Sequence, residues 1–136
     1  MSAEITITSD LSEAQRVREL IEESLRASKY SETDIVRSSI ALEEALVNAI
    51  KHGNQMDPEK RVYVHYTVTD ERFDIRIADE GEGFNPGWNS DPTDPVTEEG
   101  PGGRGLLLMH HFMTEVQYHG RGNVVTMTKI RETADS

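Results

Sequence analysis

The chain has 136 residues, 35% apolar and 29% charged, which suits one soluble globular domain with one core and excludes a disordered chain. It contains no cysteine, which excludes disulfides, thiolate zinc sites and cysteine nucleophiles. The formal net charge of -11 opposes binding to nucleic-acid phosphates, and serves either solubility alone or attraction of a basic protein partner.

Residues 4–8, Glu-Ile-Thr-Ile-Thr, alternate apolar and polar and predict a short strand. Ser9, Asp10 or Ser12 then caps a helix from about Leu11 to Ala27, with Val17, Leu20, Ile21 and Leu25 at helical spacing. Ser31 followed by Asp34 resembles a capping box, and predicts a second helix running to about Lys51 or His52, where Gly53-Asn54 is a stop signal. Residues 61–69 alternate with Val62, Val64, Tyr66 and Val68 on one face. Asp70-Glu71 makes a tight turn, and Phe73, Ile75 and Ile77 alternate on the return, as in an antiparallel hairpin. Residues 79–87 form a glycine loop, and residues 89–99, with Pro92, Pro95 and many acids, form a second irregular stretch. Residues 102–105 open a helix to about Met113. Strands near 115–118 and 124–130 follow, joined by a turn with Gly120 and Gly122, and residues 132–136 form a tail.

The order is therefore strand, two helices, two strands, helix, two strands, with no internal repeat. It predicts a single α+β domain over residues 1–136: a two-layer α/β sandwich with one mixed, mostly antiparallel sheet covered on one face by helices. No apolar run approaches the roughly 18 residues of a membrane span, and residues 1–4 do not begin a basic-then-apolar leader. A cytoplasmic protein with no membrane or direct nucleic-acid contact is the expectation.

Three stretches carry chemistry. On a helical wheel of residues 35–52, Ile35, Leu42, Leu46, Ala49 and Ile50 cover one side, and Val36, Ile40 and Val47 widen the apolar arc. A narrow polar stripe of Arg37, Glu44, Asn48, Lys51 and His52 remains. Glu44 and Asn48 stand one turn apart. A carboxylate and an amide oxygen so placed on a largely buried helix suit one group holding Mg²⁺ and its neighbour orienting a nucleophile. The alternative is a solvated stripe. The second stretch is Asp79-Glu80-Gly81-Glu82-Gly83-Phe84, directly after a strand. Its glycines permit close approach of the backbone to a ligand, and an Asp at the strand end can accept a hydrogen bond from an adenine amino group; by itself the string reads equally as a plain turn with an acidic rim. The third, Gly100-Pro101-Gly102-Gly103-Arg104-Gly105, runs into Leu106-Leu107-Leu108-Met109. A glycine run opening a helix presents free N–H groups and the positive dipole end to an anion. It is neither a Walker A loop nor a dinucleotide-fold fingerprint.

The strings 44–48, 79–84 and 102–106 occur in this order on a helix, a strand end and a helix start. Together they resemble the N, G1 and G2 boxes of the GHKL (Bergerat-fold) ATPase superfamily. Within it, Glu-Ala-Leu-Val-Asn-Ala-Ile-Lys-His-Gly (44–53) and Gly-Leu-Leu-Leu-Met-His-His-Phe-Met (105–113) are similar to the bacterial anti-sigma-factor serine-protein kinases of the RsbW type, as is the short interval between the glycine loops.

The resemblance implies a histidine-kinase-like ATPase fold and ATP with Mg²⁺ as cofactors. It implies Glu44 as general base, Asn48 as the Mg²⁺-coordinating amide, Asp79 as the adenine-binding carboxylate with Gly81 and Gly83 shaping that pocket, and backbone amides of Gly102, Gly103, Arg104, Gly105 and Leu106 around the phosphates. Residues 85–101 would form the lid. Arg104 stands where the family often has an apolar residue, and either reaches a phosphate or faces water. Asn123 stands where many relatives have Thr near adenine. Arg16 or Arg18 lies roughly where the family uses an arginine on partners; a solvated helix arginine is the alternative. The implied partners are an anti-sigma-factor antagonist with a STAS domain, phosphorylated on serine or threonine, and a sigma factor; a homodimer is compatible. A partner-switching module that binds ATP without turnover is the competing function, and a histidine-kinase catalytic fragment is disfavoured by the short lid. Adjacent His110 and His111 make poor metal-ligand geometry, His65 faces outward from its strand, and Trp88 is either a lid anchor or an interface contact.

Overall fold

The computed structural model describes the backbone of residues 1–81 and 103–131, and the side chains of these except 103–106. Chain order is β1 (Ser2–Thr8), α1 (Leu11–Ala27), α2 (Glu32–Val47) with a π-helical continuation at Asn48–Gly53, β2 (Arg61–Val68), β3 (Arg72–Asp79), α3 (Gly103–Phe112), β4 (Glu115–His119) and β5 (Val124–Ile130). This is the predicted order. The sheet runs β1-β2-β3-β5-β4, and all four of its described pairings are antiparallel. No described helix is long and apolar enough to cross a membrane.

Local chemistry explains the helix starts. Of the three candidate caps for α1, Asp10 does the work: its carboxylate accepts from the Ser12 N–H at 2.8 Å and the Ser12 hydroxyl at 2.7 Å. Ser31 caps α2 by accepting from the Asp34 N–H at 3.0 Å. Asp34 itself is buried, 3.9 Å from the buried ammonium of Lys129 on β5, and that ammonium also donates to the carbonyl of Phe112 at the end of α3.

The core lies between the helices and one sheet face. Val17, Ile21 and Leu25 of α1 and Ile35, Leu42 and Leu46 of α2 meet Val64, Tyr66, Phe73, Ile75, Ile77 and Met127 of the sheet. Met109 and Met113 close the α3 side. The opposite sheet face exposes Tyr63, His65, Arg72 and Arg76. The apolar arc expected on the first two helices is narrower than the wheel suggests: Leu20 and Val36 are 39% and 53% exposed. Both sit on the flank of a stripe that already packs, and single exposed apolar side chains are ordinary on a small domain.

The end of α2 departs from an ideal helix. The Asn48 N–H is shared between the carbonyls of Ala45 and Glu44. Beyond it the bonds lengthen in register, so that the Asn54 N–H reaches the Ala49 carbonyl at 2.8 Å. Asn54 then ties four segments together. Its fully buried side chain donates to the Ser9 hydroxyl and the Arg61 carbonyl, both at 3.0 Å, and accepts from the Glu80 N–H at 2.9 Å. That knot fixes the end of the α2 segment against the end of β3, where the functional residues converge.

Candidate functional site

A small cleft opens where the end of α2, the end of β3 and the β4–β5 turn meet. Ala45, Asn48 and Ala49 form one wall, Ile77 and Asp79 the floor, and Tyr118, Gly122 and Asn123 the other wall. Three of the predicted site residues, Asn48, Asp79 and Asn123, are brought together here from stretches far apart in sequence.

Asp79 ends β3 and is only 8% exposed. Its Oδ1 accepts from the Gly81 N–H at 2.8 Å. Its backbone N–H donates to the Asn123 carbonyl at 2.9 Å, and Asn123 Nδ2 donates back to the Asp79 carbonyl at 3.2 Å. Asn123 thus holds the strand end that carries the carboxylate. Among the described residues, Asp79 Oδ2 accepts no hydrogen bond, which leaves it available to an amino group of a ligand. Burial pushes the Asp79 carboxyl up from its ordinary range; the Gly81 N–H, Arg121 and Lys60 pull it back. A buried carboxylate that lines a cleft and keeps an acceptor is suited to recognising a neutral donor such as an exocyclic amine.

Two glycines make this geometry possible. A Cβ at Gly53 would overlap the Asp79 carboxylate, and a Cβ at Gly81 would overlap the Gly53 carbonyl. Neither glycine has positive φ. Their lack of a side chain serves close approach of two segments, not backbone conformation. The sequence points to Gly81 at the site and to Gly53 only as a helix stop. The signal that it does more was its place in the string with Asn48, but nothing local showed what it would touch.

Glu44 and Asn48 share a face one turn apart, as the sequence suggested. Their environments differ. Glu44 is half-buried, and burial, followed by the neighbouring Glu43, pushes its carboxyl up. Asn48 is 3% exposed, so the polar stripe is not solvated at this position. Its Nδ2 is buried without a hydrogen-bond partner among the described residues. It also sits at the junction of α-helix and π-helical turn, an irregularity frequent at functional sites. Lys51 and His52 lie on the exposed outside of that turn.

Two further site residues escaped the sequence reading. Tyr118 reaches in from β4 beside Asn48, and burial pushes its phenol up to about 12. Arg121, in the β4–β5 turn, donates from Nε to the Gly81 carbonyl at 3.0 Å and so ties that turn to the first glycine loop.

α3 begins at Gly103, immediately after the glycine run, so the backbone N–H groups of 103–106 occupy the first turn, where a helix has no intrahelical acceptors for them. Gly83, Gly102, the expected lid 85–101 and Trp88 lie outside the described residues, as does the side chain of Arg104. On α1, exposed Arg16 is 3.6 Å from Glu13 of its own helix. Arg18 lies 3.3 Å from Glu43 and 3.9 Å from Glu22, in the groove between α1 and α2. Neither joins the cleft. The described residues hold no cluster of three or more His, Asp or Glu side chains able to bind a metal.

The family model for the histidine kinase-like ATPase domain matches residues 7–129. The serine-protein kinase RsbW of Bacillus licheniformis is 35% identical over 115 residues, covering 78% of this chain and 72% of that protein. RsbW of Bacillus subtilis (strain 168) is 32% identical over 107 residues, covering 74% and 67%. A solved structure of the RsbU and RsbW domains of a Mycobacterium tuberculosis protein superposes with a TM-score of 0.67 over 98% of this chain, at 18% identity; the present chain spans 34% of that longer protein, and the likeness is one of fold. The chain belongs to the histidine kinase-like ATPase domain family.

Proposed function

We propose that this protein is an ATP-dependent serine-protein kinase of the RsbW kind that acts as an anti-sigma factor. The observation that carries the reading is the convergence of Asn48 and Asp79 in one cleft, with Glu44 one turn along the same helix. The relatives named above, aligned over most of the chain, are serine-protein kinases.

Each residue has a task that its surroundings support. Asp79 Oδ2 accepts from the amino group of adenine, and Gly53 and Gly81 let the base-binding carboxylate lie flush with the backbone. The first-turn N–H groups of α3 face the phosphates. The residues fit Mg²⁺ bound through ATP: the Asn48 amide is buried in the cleft wall, held apart from bulk water, and its oxygen is a hard ligand. When bound, Mg-ATP supplies the phosphoryl group and the cation that neutralises its charge. Glu44 takes the proton from the attacking hydroxyl; its raised pKa makes it a stronger base once ionised. The substrate is a serine or threonine hydroxyl on an anti-sigma-factor antagonist with a STAS domain. Release of the phosphorylated antagonist frees the protein to hold its sigma factor, for which the net charge of -11 favours a basic surface.

Calorimetric titration with Mg-ATP tests the site, followed by transfer of labelled phosphate to a purified STAS-domain antagonist. Saturable binding by the wild type, lost in Asn48→Ala and Asp79→Ala, is the expected result. Absence of binding by the wild type overturns the reading. Binding without any phosphate transfer leaves a partner-switching module that only carries ATP.

A further inference from the structure

Tyr118 occupies the last inward-facing position of edge strand β4, opposite Val125 of β5, just before the chain turns at Gly120. From there its ring runs beneath the end of α2 and forms part of the cleft wall with Asn48 and Asp79. Its hydroxyl is buried beside the Asn48 amide. Asn48, for its part, buries an Nδ2 that finds no partner at full hydrogen-bond geometry among the described residues. A side-chain amide is planar, with its donor and acceptor ends pointing in different directions. Whatever attracts the NH₂ end therefore decides where the oxygen end points. The phenol oxygen is an acceptor on a ring that is partly buried, packed against the core and set in the cleft wall beside Asn48.

We propose that Tyr118 is a positioning residue: its hydroxyl takes the NH₂ end of the Asn48 amide and thereby turns the amide oxygen toward the cation carried by ATP. The inference rests on the nucleotide reading of the cleft given above. Without the hydroxyl, the amide of Asn48 is free to flip. A flipped amide presents N–H hydrogens to a cation and binds it less well. The neighbouring Asp79, which recognises the base, is unaffected by the flip, so the effect falls on the cation and not on the base.

The test removes only the hydroxyl, in Tyr118→Phe, with Tyr118→Leu as a second hydroxyl-free variant. ATP is titrated by calorimetry into the full chain, once with saturating Mg²⁺ and once with chelator. Loss of one hydrogen bond of ordinary strength predicts that the gain in affinity from Mg²⁺ shrinks about fivefold in Tyr118→Phe. Mg²⁺-free affinity remains that of the wild type, and the melting temperature falls only by what the loss of one hydrogen bond produces. In the nucleotide-free protein, the Asn48 side-chain NH₂ resonances shift in both variants. In an Asn48→Ala background, Tyr118→Phe has no further effect on the Mg²⁺ dependence. An unchanged Mg²⁺ dependence in Tyr118→Phe overturns the proposal. So does an equal loss with and without Mg²⁺, which marks a merely structural role. A wild type that binds no ATP under either condition overturns the nucleotide reading itself, and the two failures are thereby told apart.

Discussion

Gly53→Ala adds one methyl group at the point where the end of the α2 segment lies on Asp79. The new Cβ would meet Cγ and both oxygens of the carboxylate. That carboxylate is buried and pinned by the Gly81 N–H, so it has little room to retreat. Overpacking of this kind costs about 1–3 kcal/mol. Replacing a glycine of negative φ by alanine returns about 0.5–1 kcal/mol, so the net loss of stability is roughly 0–2.5 kcal/mol. The loss of function is larger. A displaced Asp79 forfeits a hydrogen bond between an ionised group and the ligand, about 1.5–3 kcal/mol, or roughly a 10- to 150-fold rise in Kd for ATP. Calorimetry gives the affinity and urea denaturation the stability, and the affinity change should exceed the stability change. A Gly53→Ala protein that binds ATP as tightly as the wild type would refute the claim that this contact shapes the base pocket. Gly81→Ala provides the contrast. There the obstacle is the Gly53 backbone, which cannot rotate aside, so stability falls first.

Glu44→Gln should bind Mg-ATP like the wild type and lose phosphate transfer by about 10²- to 10⁴-fold. Because burial and Glu43 raise the Glu44 carboxyl, and a base must be ionised to act, wild-type turnover should fall with falling pH from above the range of an ordinary glutamate. A pH–rate profile tests this, and an acidic limb at the usual carboxylate value would contradict it. Asn54→Ala removes a buried side chain with three hydrogen bonds, each worth about 1 kcal/mol net, so urea denaturation should show a loss of roughly 2–4 kcal/mol. For Asp79→Asn the sign follows from the raised carboxyl. The ligand-free fold favours the protonated acid, so that contribution to wild-type stability is full below the unfolded carboxylate value and is lost as pH rises through the folded one. The variant, which has no carboxylate to desolvate, should therefore gain stability relative to wild type as pH rises from acidic to neutral, while its ATP affinity collapses. A pH-independent difference in denaturation midpoint would refute the assignment of the raised group.

The order of elements, the hairpin and both helix caps were legible in the sequence because they depend on neighbours a few residues away. Alternation in 61–69 marks a half-buried strand wherever it packs, and Ser31 reaches its own Asp34 N–H in any tertiary setting. The pairing of Glu44 with Asn48 was legible for the same reason, since helical spacing sets it. The π-helical continuation from Asn48 was not legible, because apolar spacing does not distinguish it from an α-helical turn, although Ala49 and Ile50 are buried and Lys51 and His52 exposed as the wheel places them. The wheel failed on Val36, since a flank position is covered only if a neighbour happens to reach it. The glycine strings suggested a ligand-approach loop, but by composition alone the first reads equally as a plain turn.

What the sequence by itself determined is the set of local parts: which segments are helices and strands, and which faces are apolar. Only the tertiary structure decided their partners. Inserting β5 between β3 and β4 brings Asn123 to the backbone of Asp79, and it brings Tyr118 under α2 beside Asn48. The Asn54 knot brings Gly53 onto the Asp79 carboxylate. Local patterns act over one or two turns of chain, whereas these contacts join segments whose approach is set by sheet order and core packing, so no short stretch of the chain contains them.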